Sequence, residues 1–306
     1  MKPDPEEELG LKMDALGVWD RVARYNWSVR PHGTVLPYFC TLLRGDGKPV
    51  RVRFLMLEGW QTFHAYMQTR ADRNFGFYTT PMEMAHFELV VADGACRVFR
   101  HDPGFMPRPL EPSERDLVHR ILWESYGIML RLEGDDKLPM RYAEDKALFS
   151  RVETSPGEWS DAPLPLVDPR PYTEQVAISK ADIKAAKDLP FVRERALELD
   201  FRLYPALMTK EPRARCCYRL LAIDAETGEP VIDRCVSAGR EGGLKAMWEQ
   251  LPGQVLKALV VSGRMPGEIR VLSGRVFRFL RALCVELPLK LSLRDELPRL
   301  AAAFRR

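Results

Sequence analysis

Within residues 218–236, YRLLAIDAETGEPVIDRCV, an apolar run ends in Asp224, a turn follows, and the return run carries Asp233. Carboxylates are the side chains that hold divalent cations for metal-dependent hydrolysis, where the ions activate water and stabilise the leaving oxygen. That chemistry requires the two acids to converge. An Asp before a turn also caps the turn through its own side chain, the commoner reason for its presence. Histidine offers less: His32, His64, His86, His101 and His119 all lie in the first half, and the closest two are fifteen residues apart. No H-x3-H or C-x2-C spacing occurs, so neither a metal site nor a cofactor is expected. Cys216 and Cys217 are adjacent on a strand and point to opposite faces, where they cannot readily share an ion. The chain has no G-x-S-x-G elbow, and its GREGG stretch at 239–243 lacks the Lys-Ser/Thr pair of a phosphate loop.

Binding chemistry is better represented. In GRVFRFLRALCVEL, Arg275, Arg278 and Arg281 fall at i, i+3 and i+6 along one helical face, a face suited to phosphates. Val276, Phe279, Leu280 and Leu283 fall towards the other face and are expected to be buried. The segment RADRNFGFYTTP, residues 70–81, sets Phe75, Phe77 and Tyr78 beside Arg73 with little helical signal. Aromatic and Arg side chains on a loop are typical of contact surfaces. Residues 1–169 carry 21 basic and 26 acidic side chains, and residues 170–306 carry 25 and 17, balances of −5 and +8. A basic second half attracts acidic partners.

Two resemblances add to this. The hairpin around Asp224 resembles the opening hairpin of ribonuclease-H-like folds, in which a first-strand Asp binds a divalent cation. That resemblance implies a second acid near the end of a later central strand, where LVVSG offers only Ser262. The stretch LVVSGRMPGEIRVLSGRVFRFLRALCVELPLKLSLRDELPRL resembles the C-terminal module of uncharacterised two-module bacterial proteins filed as domains of unknown function. The first half is similar to the module that precedes it. This second resemblance covers most of residues 10–306 and implies an α+β fold and a bacterial, cytoplasmic origin. It brings no activity.

The elements that must position these residues follow from composition and pattern. The 306 residues are 46% apolar and 29% charged with a net charge of +3, enough apolar material for packed cores and too little charge bias for wholesale disorder. No apolar run reaches the roughly 18 residues of a membrane-spanning helix, and the start MKPDPEEELG is unlike a signal peptide. Six cysteines without disulfide-like or metal-like spacing suggest reduced thiols in a cytoplasm. Five prolines between Pro156 and Pro171 predict a stiff connector over 152–172, separating domains at 1–151 and 173–306.

In the first domain, helices are expected near 14–25, 60–69 and 113–126. Strands are expected at 35–43, 50–57, 87–92, 95–100 and 128–132. In the second, helices are expected at 180–189, 192–199, 243–251, 275–285 and 295–306, with strands at 201–207, 216–224, 231–237, 258–261, 268–272 and 287–293. The motif Gly47-Lys48-Pro49-Val50 stands opposite Gly228-Glu229-Pro230-Val231, and Leu89-Val90-Val91 opposite Leu259-Val260-Val261. These matches predict an internal duplication: two related α+β domains, each a mainly antiparallel sheet with packed helices. The expected function is a non-catalytic binding or adaptor protein with a protein partner. The alternatives are a degenerate ribonuclease-H-like hydrolase using Asp224 and Asp233, or a nucleic-acid binder using the basic domain.

Overall fold

The computed structural model describes residues 4–44, 50–70, 83–135, 138, 146–169, 175–208, 213–238 and 243–304. The protein is α+β, with two compact units that each carry a mainly antiparallel sheet. The first unit comprises described residues 4–70, 83–102 and 107–169. The second comprises 175–304 together with the short segment 103–106.

The first unit opens with α1 (Pro5–Ala15), where Asp4 and Glu7 form a capping box and Pro5 sits in the first turn, which lacks hydrogen-bond partners anyway. A short α2 (Trp19–Val22) follows, so the single helix expected near 14–25 is two pieces broken at Gly17, whose φ is +65°. The sheet contains β1 (Trp27–Arg30), β2 (Tyr38–Arg44), β3 (Val50–Glu58), β4 (His86–Ala92), β5 (Ala95–His101), β6 (Arg108–Pro109), β7 (Ala147–Ser155) and β8 (Glu158–Pro165). Its spatial order is β6-β5-β4-β3-β2-β1-β7-β8, antiparallel throughout except that β7 runs parallel to β1. Between β3 and β4 lies α3 (Gly59–Arg70), and between β6 and β7 lies α4 (Pro112–Gly134).

One face of the sheet packs against α1 and α4, burying Leu9, Met13, Val118, Ile121 and Met129 on Trp27, Phe54, Phe87 and Leu89. On the opposite face α3 stacks Phe63 on Phe39 at 4.4 Å. Residues 128–132, expected as a strand, continue α4. Gly127 costs a helix only about 1 kcal/mol, and Ile128, Met129 and Leu132 recover it by burial. The Pro-rich stretch also differs from a connector, since residues 158–165 pair with β7 as the edge strand β8. An edge is where strand prolines such as Pro163 and Pro165 are tolerated, because one side needs no donors.

The second unit has α5 (Lys180–Lys187), β9 (Phe191–Met208), β10 (Arg215–Asp224), β11 (Pro230–Ser237), α6 (Gly243–Glu249), α7 (Leu251–Ser262), β12 (Met265–Val271), α8 (Gly274–Glu286), β13 (Lys290–Leu293) and α9 (Pro298–Phe304). The sheet order is β11-β10-β9-β12-β13. Its first three strands are antiparallel, while β12 and β13 are parallel additions beyond β9. Trp248 on α6 and Phe279 on α8 pack over Phe201 and Tyr218 on one face. On the other face α9 lays Leu300 on Leu221 and Ile223.

Two expected elements change type here. Residues 192–199 are strand, and 258–261 are the end of α7, which Gly263 closes in the left-handed conformation at φ +70°. Leu259-Val260-Val261 is therefore helical where Leu89-Val90-Val91 is strand, and that pair of the repeat does not correspond. The hairpins around 47–50 and 228–231 do correspond in element type: β2–β3 then α3, and β10–β11 then α6.

Candidate functional site

The carboxylates singled out from sequence do not converge. Asp233 lies opposite Leu221 and so on the α9 face, where Arg219 donates to it twice, at 2.7 and 2.8 Å. Asp224 stands on the other face. It accepts from Arg195 at 2.8 Å and from the Glu226 and Thr227 N–H groups, which makes it the cap of its turn. Burial raises the pKa of Asp224, but the hydrogen bond from Arg195 and those from the turn amides hold it below the usual carboxylate range. The Arg219 guanidinium lowers that of Asp233 in the same direction. Nor does the hairpin open the sheet: β9 precedes it and occupies the centre, so the acids on the first strand are Glu194, Glu198 and Asp200. Ser262 ends a helix and turns its hydroxyl back to the Leu259 carbonyl at 2.8 Å.

The basic helix forms as expected. Ser273 caps α8 through its hydroxyl, and Val276, Phe279, Leu280 and Leu283 are buried. Arg275 is engaged internally, its guanidinium 3.9 Å from the centre of the Trp248 ring, while Arg278 and Arg281 are exposed. The aromatic loop residues Arg73, Phe75, Phe77 and Tyr78 lie outside the described residues.

Two features escaped the sequence reading. The first is on α4, whose buried stripe faces the sheet while His119, Trp123, Tyr126 and Leu130 form a second stripe at i, i+4, i+7 and i+11. Trp123 is 54% exposed, its ring 6.4 Å from His119 and 6.2 Å from Tyr126. A helix with two apolar stripes was readable from the 3.6-residue period, since a single sheet face can use only one of them.

The second is a buried charged cluster on β3, β4 and β5. Alternation puts Phe87, Leu89 and Val91 towards α1 and α4, and His86 and Glu88 on the other face. His86 pairs directly across the hairpin with His101, and the two rings stack at 4.3 Å. Glu88 Oε2 lies 2.6 Å from His101 Nε2, while Arg53 on β3 donates from Nε to Oε1 and from Nη2 to Oε2. His86, Glu88 and His101 are at most 2% exposed, and Arg53 is buried beside them.

Burial, reinforced by His101, pushes the His86 pKa down to about 3, so this ring is neutral. For Glu88 burial works upward, but the hydrogen bonds from His101 and Arg53 outweigh it and hold the carboxyl at about 2. The fifteen-residue spacing that argued against a metal centre is what brings the two histidines together. Asp93 and Gly94 both have positive φ, which makes a two-residue turn and fixes the register so that 86 faces 101. Once that turn is recognised, the pairing is arithmetic.

Residues 182–306 match a family described as "Domain of unknown function (DUF6930)", which covers most of α5 and every later element of the second unit. No curated protein and no solved structure matches the chain. Among the described residues no helix is long and apolar enough to cross a membrane.

Proposed function

We propose that this chain is a non-catalytic binding or adaptor protein that recognises a partner protein through the outer face of α4. The carrying observation is Trp123, the most exposed Trp described, set in a stripe with His119, Tyr126 and Leu130. Trp and Tyr contribute most to protein recognition because each offers a large, stiff contact area with a polar handle. The net acidity of residues 1–169 favours a protein with an apolar, basic-rimmed patch over a polyanion. Common descent of the two modules is part of this reading. Its support is an antiparallel meander in each sheet, β1–β6 in one and β9–β11 in the other, whose first strand is joined on its far side by a later parallel strand, β7 or β12.

The test is a photo-crosslinking amino acid at position 123 in the full chain, expressed in cells. A discrete adduct with another protein, abolished by Leu130→Asp, is the expected result. Adducts only with a second copy of the chain, or none, would overturn the reading.

Nucleic-acid binding through α8 is a second reading, favoured by exposed Arg278 and Arg281. It predicts affinity for single- or double-stranded nucleic acid that falls steeply with salt and is weakened by replacing both arginines with Ala. Salt-independent retention would sink it.

A further inference from the structure

We propose that His86, Glu88 and His101 form a binding site for one divalent transition-metal ion of the zinc class, inside the first unit. Two imidazoles and a carboxylate are the borderline-soft donor set that suits such ions, with a fourth position left for water. One donor atom from each residue lies within 4.8 Å of the others, and all three residues are buried.

The orientation of His86 is an independent observation that points to a ligand. Its Nδ1 is 2.8 Å from the Met84 carbonyl, which fixes that nitrogen as the N–H donor and leaves Nε2 with its lone pair. Nε2 has no hydrogen-bond partner among the described residues, and neither does His101 Nδ1. A metal-ligating histidine is usually held in this way, with the distal N–H on a backbone carbonyl and the other nitrogen turned inward. The backbone hydrogen bond also selects the tautomer, so no proton has to move within the ring before an ion binds.

Glu88 is prepared as well. Arg53 grips both of its oxygens and orients the carboxylate, the outer-shell role that ligating carboxylates require. Oε2 lies 2.6 Å from His101 Nε2 and accepts its N–H in the free site; an ion held between them displaces that proton, which passes to the unpartnered Nδ1 of the same ring. A tetrahedral zinc ion holds its donors about 3.4 Å apart. Binding therefore draws the widest pair inward by up to about 1.4 Å, opens the closest pair slightly and turns the stacked imidazoles, 15° from parallel, about their side-chain torsions so that both lone pairs meet one ion.

The experiment uses the full chain, stripped with a chelator, and titrates Co²⁺ alone at neutral pH before displacement by Zn²⁺. The expected result is one Co²⁺ per chain, with the visible bands of a four- or five-coordinate ion that equimolar Zn²⁺ removes. Affinity should fall about 100-fold or more in His86→Gln and in His101→Gln. It should be unchanged in His32→Gln and His64→Gln, whose rings lie elsewhere. If the buried variants do not fold, long-range proton–nitrogen spectra of the wild-type imidazoles replace them. Zn²⁺ should then shift the ring nitrogens of His86 and His101 and of no other histidine. Absence of saturable Co²⁺ binding, retention of full affinity in His101→Gln, or shifts confined to other histidines would overturn the proposal.

Discussion

Each sheet buries acidic side chains on the face away from its main helical layer, and the two units treat them in opposite ways. In the first unit, Glu88 is held by Arg53 and His101 and stays ionised well below the usual carboxylate range. In the second, Asp200 on central β9 accepts one N–H, from Phe201 at 2.8 Å, and lies 3.3 Å from Arg202 Nε. Burial there outweighs both partners and raises the Asp200 pKa, while burial lowers that of Arg202 despite Asp200 beside it. Glu198 on the same strand face takes a third course and accepts the Leu300 N–H at 2.8 Å, tying α9 onto the sheet. Depth of burial is similar for Glu88 and Asp200, so hydrogen-bond supply rather than depth sets the direction in which each carboxyl's pKa moves.

Glu88→Gln sharpens this contrast most. It removes the carboxylate charge that Arg53 grips inside the sheet and should cost the first unit about 3–5 kcal/mol. Asp200→Asn, where burial raises the carboxyl's pKa and so works against its charge, should cost the second unit less, about 1 kcal/mol. Urea unfolding with unit-resolved hydrogen exchange measures both, and equal losses would break the comparison.

Gly267→Ala should come next, at about 3 kcal/mol, because its new Cβ would lie 2.1 Å from the Arg193 carbonyl oxygen and force β12 off β9. Gly10→Ala meets only Cys96 Sγ and Leu89 Cδ1, side-chain atoms that can rotate, and should cost about 1 kcal/mol. Thermal melts of the two variants test that order.

Acid provides a smaller and more selective probe. The His86 pKa is depressed from 6.5 to about 3, so its contribution is fully present above pH 6.5 and is lost as pH falls towards 3. Between pH 6.5 and 5 the first unit should lose about 2 kcal/mol. The Glu88 contribution is lost only below 4.5. In the second unit Glu268, held near 2, likewise weakens the fold only below 4.5. Asp200 has the reverse sign, since its raised pKa favours folding at low pH and that gain disappears as pH rises past it. Exchange rates at pH 7 and 5, corrected for intrinsic chemistry, should therefore report loosening of the first unit alone.

Trp123→Ala should be the mildest change, within about 0.5 kcal/mol of wild type, because the ring is mostly outside the core. A larger loss in a thermal melt would mean that the stripe on α4 serves packing rather than contact.

Much of the fold was legible wherever a pattern had one physical solution. The apolar positions of α8 left a single buried face, and the Asp93-Gly94 turn left a single hairpin register. Reading failed where patterns were ambiguous. Residues 258–261, ALVV, read as a strand, yet they end α7, which buries Leu259 and leaves Val261 in solvent. Residues 192–199, VRERALEL, read as a helix, yet they belong to central β9, where alternation sets buried Leu197 and Leu199 on one face and Glu198 on the other. The histidine cluster was missed for a different reason. Ligand spacing was sought along the chain, whereas cross-strand pairing brings distant positions together.

The parallel pairing of β1 with β7 also bears on how the molecule comes into being. Ser28 takes Ser150 as its register partner, so about 122 residues must be made before that rung can close. At 5–20 residues per second this is roughly 6–24 s of synthesis. Throughout that interval β1 keeps one unpaired edge, and the hydroxyl contact between Ser28 and Ser150 cannot form. The second sheet repeats the delay, with β9 awaiting β12 across helices α6 and α7. Each unit therefore presents an open strand edge once during synthesis, until its late parallel strand arrives.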